Sequence, residues 1–374
     1  MKKIAFSALF VAAVFTWAFA REGFTTTFSF PEMADSTKIV LRIHDSEAGY
    51  QDFRFDTIQV IGGQGVYSGT VAVDYPVPAW AFTPSGTFPF YLSNGQNEKI
   101  AGSGEDIKNL TLTYSGAPWS NDVMQYNRRV DAPRNVLGGK MGNFKKLTKT
   151  QRDSITSAFA EIEKSELELH VQLADSWISL YKTTYDMMNM PRENVQTVYD
   201  RLSPDKRSSR YGEIVARFLS VKPIEVGALL SDYDIEGTDQ FGKPFRLSQV
   251  KEPYIILDFS QYGCGPCRMA AKDIAGLKDR YEGKVAFVNY SCDDTEQAWR
   301  KAVARDSISW PSVFDNSGSS GDISLRYGVN SYPKFFVFGP DRKLLKVWSG
   351  YGPGMLEYEL PKLLKQDGSK PVDD

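Results

Sequence analysis

The last third of the chain restricts the fold most, because apolar strands alternate there with amphipathic helices. The apolar run YIILDFS precedes the helical segment CRMAAKDIAGLKDRY, and the strand KVAFVNYSC precedes the helix TEQAWRKAVARD. Two further strands, KFFVFG and LLKVWSG, close the segment. Strands that alternate with helices predict a central sheet covered by helices on both faces. The first two strands are nearly continuous in apolar residues, which is typical of buried parallel strands.

Two of the three cysteines stand three positions apart just after the first of these strands, in the stretch SQYGCGPCRMA. If Cys264 begins the helix, it lies close enough to Cys267 for a disulfide without backbone rearrangement. The unpaired amides and the positive dipole end of a helix favour an anion at that place, and a thiolate is such an anion. We interpret the pair as a redox couple, in which Cys264 attacks a disulfide and Cys267 resolves the mixed disulfide.

Two metal-containing alternatives and one structural alternative compete with this interpretation. A metal site needs more ligands, and outside the pair the chain offers only Cys292, His44 and His170, both histidines lying outside the predicted redox domain. A haem attachment site requires a histidine directly after Cys267, where Arg268 stands. A purely structural disulfide remains, but closing so short a loop constrains the unfolded chain little. We therefore expect no metal and no small-molecule cofactor.

The first twenty residues, MKKIAFSALFVAAVFTWAFA, combine two lysines, a short apolar run and a small-x-small ending. This pattern predicts a secretory signal peptide that is cleaved after Ala20, and an uncleaved membrane anchor is the alternative. No later apolar run approaches the length of a membrane span. An exported, oxidising compartment would make paired cysteines meaningful as a disulfide. The near balance of 44 basic against 46 acidic side chains argues against nucleic acid as a partner.

The region between residues 21 and 130 contains short apolar segments with alternating polarity, separated by Gly, Pro, Asn and Ser. These segments are TKIVLRI, DTIQVI, GVYSGTVAV, PAWAF, FPFYL and LTLTYSG. Their spacing predicts an N-terminal all-β sandwich or barrel with antiparallel strands. Turn residues and basic charge then dominate from Ala117 to Lys149, after which the period changes.

A helical period follows between residues 145 and 220. Apolar residues recur at Ile155, Phe159 and Ile162, and prolines punctuate the later segments at Pro191 and Pro204. We interpret this stretch as a helical connector. The predicted domains are a signal peptide (1–20), a β-rich domain (21–130), the helical connector (145–220), a redox domain (224–366) and a flexible tail (367–374).

Residues from about 224 to 366 resemble the thioredoxin-fold domains of the TlpA/ResA type. Cys264 and Cys267 enclose the same Gly-Pro pair as in thioredoxin, and Asp258 falls where thioredoxins have a buried carboxylate. Tyr332-Pro333 falls where the family has its cis-proline loop. The resemblance implies an α/β thioredoxin-like fold and a protein-disulfide oxidoreductase. The preceding regions resemble extensions of envelope thiol-disulfide oxidoreductases of Gram-negative bacteria, which implies a periplasmic protein.

The resemblance also implies roles for individual residues. A buried Asp258 can exchange a proton with Cys267, whereas the alternative is a strand residue that faces a polar loop. A cis bond before Pro333 would expose backbone to an extended substrate, and an ordinary trans proline is the alternative. Cys292 is interpreted as a small buried apolar residue, with a third exchanging thiol as the alternative. The predicted substrate-binding residues are Tyr332, Pro333, Gly265 and Pro266.

The sequence departs from the family at several positions around the pair. Ser260 and Gly263 replace the usual tryptophans, Lys272 replaces a helix-kinking proline, Ala270 replaces a glutamate of ResA-type proteins, and Lys334 replaces a threonine. These changes leave the exchange chemistry intact but open the surface around the first cysteine.

We expect an enzyme that reduces the disulfides of client proteins, since the Gly-Pro pair resembles that of reducing thioredoxins. Its electrons would come from a membrane-embedded thiol reductase. A module serving one dedicated envelope partner and a disulfide isomerase are the alternatives.

Overall fold

The computed structural model of the protein describes residues 22–44, 53–141 and 146–365. The predicted signal peptide with its cleavage point after Ala20, and the predicted tail 367–374, lie outside the described residues. Among the residues that are described, no helix has both the length and the apolar character needed to cross a bilayer.

Two four-stranded sheets form the first region. Their strands are β1 Phe24–Ser29, β2 Lys38–His44, β3 Phe53–Gln59, β4 Gln64–Gly69, β5 Val77–Thr83, β6 Gly86–Leu92, β7 Asn97–Ala101 and β8 Thr113–Ser115. The sheet orders are β4-β1-β7-β8 and β3-β2-β5-β6. One pairing corrects the expected antiparallel arrangement, because β1 and β7 are parallel. The chain between these two strands builds β4 and the whole second sheet, so no short hairpin fixes their relative direction.

The side chains of these strands alternate between the core and the outside. In β2, Ile39, Leu41 and Ile43 are at most 1% exposed, whereas Val40 between them is exposed. The rings of Phe28 and Phe90, from different sheets, meet edge to face with centroids 5.3 Å apart. The two sheets therefore enclose a common apolar core, as expected of a sandwich.

Helices and a π-helical turn follow or interrupt the sheets. The helices are α1 Gly104–Asn109, α2 Ser120–Tyr126, α3 Ala132–Met141, α4 Lys149–Gln172, α5 Trp177–Asp186, α6 Arg192–Arg201, α7 Pro204–Arg207 and α8 Arg210–Ser220, and the π-helical turn is Asn127–Asp131. The run of turn residues and basic charge from Ala117 to Lys149 contains α2, the π-helical turn and α3. Trp119, Val123 and Val130 form a buried stripe there, and the prolines, glycines and charges around them hide that stripe in the sequence.

The helices do not stand apart from the sheets. Leu169, Ile178 and Val215 are completely buried and belong to the same apolar core as Phe28 and Phe90. The longest helix, α4, begins with a capping box in which Thr148 and Gln151 satisfy each other's backbone amides. The predicted connector is thus packed onto the β-rich region over a shared core.

The second region contains one seven-stranded sheet. Its strands are β9 Glu236–Asp239, β10 Pro244–Arg246, β11 Tyr254–Ser260, β12 Val285–Ser291, β13 Ser312–Phe314, β14 Lys334–Phe338 and β15 Leu344–Ser349. The order is β10-β9-β13-β12-β11-β14-β15, with β11, β12 and β13 mutually parallel. The helices are α9 Gly265–Leu277, α10 Glu296–Arg305, α11 Asp322–Arg326 and α12 Met355–Lys365.

Strand β11 is an interior strand of this sheet, between β12 and β14, and is buried on both faces. Tyr254 and Ile256 point into a core with residues of α9 and α12, whereas Ile255, Leu257 and Phe259 point into a second core. The expected central sheet covered on both faces is confirmed. The α/β thioredoxin-like part of the predicted multidomain architecture is therefore present, together with the strand-rich N-terminal region and the helices between them.

Candidate functional site

Cys264 and Cys267, which are separated by Gly265 and Pro266, both lie at the junction between β11 and α9. Cys264 is the N-cap of α9, and its sulfur is bonded to that of Cys267, with the two Cα atoms 5.3 Å apart. The Cys264 sulfur also accepts a hydrogen bond from the Cys267 amide over 3.0 Å. It therefore lies where the first-turn amides of a helix point, which favours a negative charge on it.

The two sulfurs differ in their access to solvent. Cys264 is half-buried and Cys267 is only 4% exposed, while Gly265 and Pro266 between them are exposed. Pro266 is tolerated because its position in the first helical turn needs no amide donor. The geometry thus presents Cys264 to an incoming disulfide and shields Cys267 beneath the first turn.

The buried carboxyl of Asp258 lies on the same face of the sheet as α9. Alternation along β11 gives Asp258 the orientation of Tyr254 and Ile256, whose neighbours include Ala270 of α9. Asp258 is 2% exposed, and its Oδ1 has no hydrogen-bond partner among the described residues. Burial raises the pKa of the Asp258 carboxyl to about 7, although a hydrogen bond from Asn289 opposes the shift.

Asn289 links this carboxyl to its surroundings, and the sequence reasoning missed it. It lies opposite Asp258 in the pairing of β11 with β12. Its Nδ2 donates to Asp258 Oδ2 over 3.3 Å and to Ser260 Oγ over 2.7 Å. Its Oδ1 accepts from Ser312 Oγ over 2.8 Å, and that hydroxyl in turn accepts from Trp299 Nε1. The sequence signal that could have identified Asn289 is its polar amide inside the otherwise largely apolar strand VAFVNYS.

The loop before β14 reaches the same end of the sheet. The peptide bond between Tyr332 and Pro333 is cis, as expected from the sequence. Strands β11 and β14 are antiparallel, and their register pairs Phe259 with Lys334. Pro333, directly before Lys334, therefore lies at the same end of the sheet as Ser260, just before the segment with the cysteine pair. Pro333 is buried and Tyr332 is half-buried.

The third cysteine lies beneath this loop. Cys292 is completely buried, and its sulfur is 3.4 Å from Ser324 Oγ and accepts a hydrogen bond from the Tyr332 hydroxyl. Burial raises the pKa of the Cys292 thiol to about 12. At neutral pH this group is a neutral thiol without access to solvent, in agreement with a buried apolar role.

The loop before Cys264 is held by two further residues that the sequence reasoning did not select. The Asp293 carboxylate accepts from the Tyr262 amide over 2.9 Å and from the Ser291 hydroxyl over 2.8 Å. Arg305 donates to the Tyr262 carbonyl over 2.7 Å and lies over its ring at 4.7 Å. Both Tyr262 contacts fix the backbone two residues before the reactive cysteine.

Comparison with known proteins finds a likeness for part of the chain. Residues 252–344 match the family model described as Thioredoxin-like. A thioredoxin from Peptoclostridium acidaminophilum is 34% identical over 62 residues, which are 17% of this chain and 54% of that protein. The chloroplastic protein SUPPRESSOR OF QUENCHING 1 from Arabidopsis thaliana is 33% identical over 111 residues, or 28% of this chain and 10% of that protein.

Among the similar solved structures is the thioredoxin domain of a thiol-disulfide oxidoreductase from Bacteroides vulgatus. The two chains are 22% identical with a TM-score of 0.33, and the match covers 37% of this chain and 99% of the Bacteroides vulgatus chain. The chain spans about half the length of the thioredoxin that it matches. The family likeness therefore concerns residues 252–344, around the cysteine pair.

Proposed function

We propose, from the premise that residues 252–344 form a thioredoxin-like domain, that the protein is a thiol-disulfide oxidoreductase that works through Cys264 and Cys267. One observation supports this most directly. The Cys264 sulfur caps α9, accepts the Cys267 amide and is the more accessible of two bonded sulfurs. A sulfur in this position is a stabilised thiolate when the disulfide is reduced.

The proposed reaction transfers two electrons to a client disulfide. The Cys264 thiolate attacks one client sulfur, and the other client sulfur leaves as a thiolate, which takes up a proton. The Cys267 thiol then loses its proton and attacks Cys264 in the mixed disulfide, so that the second client sulfur leaves. The protein is left with the Cys264–Cys267 bond, and the client holds two thiols.

Asp258 is proposed to assist the second step. A carboxyl with a pKa near 7 can hold or accept a proton at neutral pH, and Cys267 must lose one before it attacks. Asn289 orients the Asp258 carboxyl through its Oδ2, which leaves Oδ1 without a partner among the described residues. This free oxygen is the acceptor that the step requires.

The client is proposed to lie along the exposed first turn of α9 and the cis-proline loop. Gly265 and Pro266 are exposed beside Cys264, and a methyl group added to Gly265 would meet no atom within 4 Å. The backbone of Tyr332 would pair with an extended client segment in the manner of a short strand. Recognition through backbone at the first turn of α9 and at the cis-proline loop would accept clients with different side chains.

The compartment and the direction belong to the same proposal. The predicted signal peptide supports export to the periplasm, and the Gly-Pro spacing supports reduction rather than oxidation of clients. In an oxidising compartment the pair must be reduced again, so a membrane-embedded thiol reductase is the proposed electron donor.

Serine substitutions test the proposed roles of the two cysteines. Cys264→Ser should abolish exchange with a disulfide-containing protein, because no accessible nucleophile remains. Cys267→Ser should instead accumulate a mixed disulfide, which non-reducing electrophoresis and mass spectrometry detect. Cys292→Ser is the matched control and should retain exchange. Equal residual turnover in the Cys264 and Cys267 variants would refute the assignment.

A further inference from the structure

A second group of chemically reactive side chains lies far from the cysteine pair in the sequence, between helices α4 and α5. Glu166 and His170 are four residues apart on α4, and Asp186 is the last residue of α5. One ligand atom from each of the three side chains lies within 4.8 Å of the other two. A spacing of four residues places two side chains on one face of a helix, so both point toward α5.

The hydrogen bonds of His170 suit a metal ligand. Its Nδ1 is 3.1 Å from the Tyr126 hydroxyl and 3.2 Å from Thr183 Oγ1, while its Nε2 is 3.2 Å from Asp186 Oδ2. When the His170 proton is on Nδ1, either hydroxyl oxygen can accept its hydrogen bond, and the Nε2 lone pair is then available to an ion beside the carboxylates. Histidines that bind metals usually donate their second nitrogen to a partner in this way.

The three residues border a cavity through which an ion and water can enter. The cavity has a volume of about 610 Å³, and its lining includes His170, Glu166 and Asp186. The His170 side chain is 1% exposed, whereas that of Asp186 is 32% exposed. Three carboxylates and two basic side chains line the cavity, which leaves one net negative charge, so a cation is favoured over an anion.

Arg134 is the competitor for such a cation. It contacts Glu166 with both terminal nitrogens, at 2.5 and 3.2 Å, and its own side chain is 39% exposed. A divalent ion can therefore displace the guanidinium from the carboxylate, and Arg134 can turn toward solvent. Zinc bonds of about 2.0–2.2 Å would hold the ligand atoms roughly 3.4 Å apart, which the Nε2–Oδ2 distance already approaches.

We propose that Glu166, His170 and Asp186 bind one divalent transition-metal ion, for which zinc is the probe, with water from the cavity completing its coordination. The ion takes the place of the proton between His170 Nε2 and Asp186 Oδ2 and of the guanidinium on Glu166, and His170 then keeps its proton on Nδ1. It would tie α4 to α5 within the first region. This site does not depend on the proposed redox function.

Zinc binding to the full chain with its disulfide closed tests the proposal, since the closed disulfide keeps Cys264 and Cys267 from binding zinc. Equilibrium dialysis followed by elemental analysis should give one bound zinc per chain. His170→Gln should weaken binding about a hundredfold or more. His44→Gln, at the other buried histidine of the chain, is the matched control and should leave the affinity unchanged.

A variant that gains affinity separates a metal site from a purely structural polar cluster. Arg134→Gln removes the competitor of the ion and should bind zinc about tenfold more tightly. Asp186→Asn, which keeps a hydrogen-bonding side chain, should bind more weakly, and circular dichroism should show that both variants are folded. No binding at zinc concentrations up to about 100 μM would overturn the proposal. An equal loss of zinc affinity in His170→Gln and His44→Gln would also overturn it, as would weaker zinc binding by Arg134→Gln.

Discussion

At the scale of single residues, the proposed chemistry depends on a carboxyl that is neither fully charged nor fully neutral at pH 7. Among the described residues the Asp258 carboxyl has no ion pair, and it accepts a hydrogen bond from the side-chain amide of Asn289. A cationic neighbour would hold the carboxylate in its charged form, whereas an amide stabilises it only weakly. The pKa near 7 is thus a consequence of burial that the Asn289 amide only partly offsets.

The Asp258→Asn variant should lose the pH dependence of the resolving step. In the natural protein the decay of the mixed disulfide should accelerate as the pH rises through about 7, because the carboxylate becomes able to accept a proton. The variant should resolve the mixed disulfide about tenfold more slowly at pH 8. Stopped-flow measurements between pH 5 and 9 provide the comparison, and an unchanged profile would remove Asp258 from the mechanism.

The same substitution has an expected effect on stability with a definite sign. The pKa of Asp258 is higher in the folded state, so its contribution to stability is present at low pH and is lost as the pH rises from about 4 to about 7. Asp258→Asn removes that loss. The free energy of unfolding of the variant, compared with that of the natural protein, should therefore be higher at pH 8 than at pH 5. Urea titrations of both proteins at these two pH values measure the difference.

At the scale of secondary-structure elements, the junction of β11 and α9 is held from a neighbouring strand end. Asp293 follows β12 and accepts the amide of Tyr262, while Arg305 at the end of α10 donates to the carbonyl of the same residue. Neither contact touches Cys264. Both act on it through the backbone that sets the start of α9.

Asp293→Ala should loosen this junction. The Tyr262 amide would lose its acceptor, and a hydrogen bond of this kind typically contributes about 0.5–1.5 kcal/mol to stability. The Cys264 thiolate would lose part of its fixed amide environment, so its pKa should rise. The pH profile of alkylation of reduced protein by iodoacetamide measures this shift, and exposed Asp279→Ala serves as the control. Identical profiles for all three proteins would contradict the positioning role.

At the scale of the whole molecule, the thioredoxin-like domain contacts the first region through α11 and the loop that follows it. Leu325 is 1% exposed and belongs to the apolar core of the first region. Arg217 of α8 pairs with Asp322 at 3.5 Å, and Asn330 donates to Asn189 over 2.7 Å. Asn330 is two residues before Tyr332, so this contact ends close to the proposed client-binding loop.

Leu325→Ala tests whether the two regions are energetically coupled. The variant should lose about 2–5 kcal/mol of stability, because it leaves a cavity in a core to which both regions contribute. Differential scanning calorimetry should show a lower transition temperature, and the transition should broaden or split if the regions uncouple. Leu345→Ala, at a 40% exposed position, is the control and should change stability little. A loss no larger than that of the control would argue for independent regions.

The sequence determined those features that are encoded locally. The alternation of strands and helices after residue 224, the start of α9 at Cys264 and the helical stripe of α4 follow from periods of two and 3.6 residues, which short windows reveal. The cis bond before Pro333 was implied by a motif. The roles of Cys264, Cys267, Asp258 and the cis-proline loop remain predictions that the experiments above address.

Only the tertiary structure decided which distant residues meet. The parallel pairing of β1 with β7, the helices between 117 and 141, and the contact of Asn289 with Asp258 all depend on strand register and on burial against remote segments. The same holds for His170 and Asp186, which are 16 residues apart and face each other only because α4 and α5 pack together. Such contacts are set by the free energy of burying the whole core, which no local pattern contains.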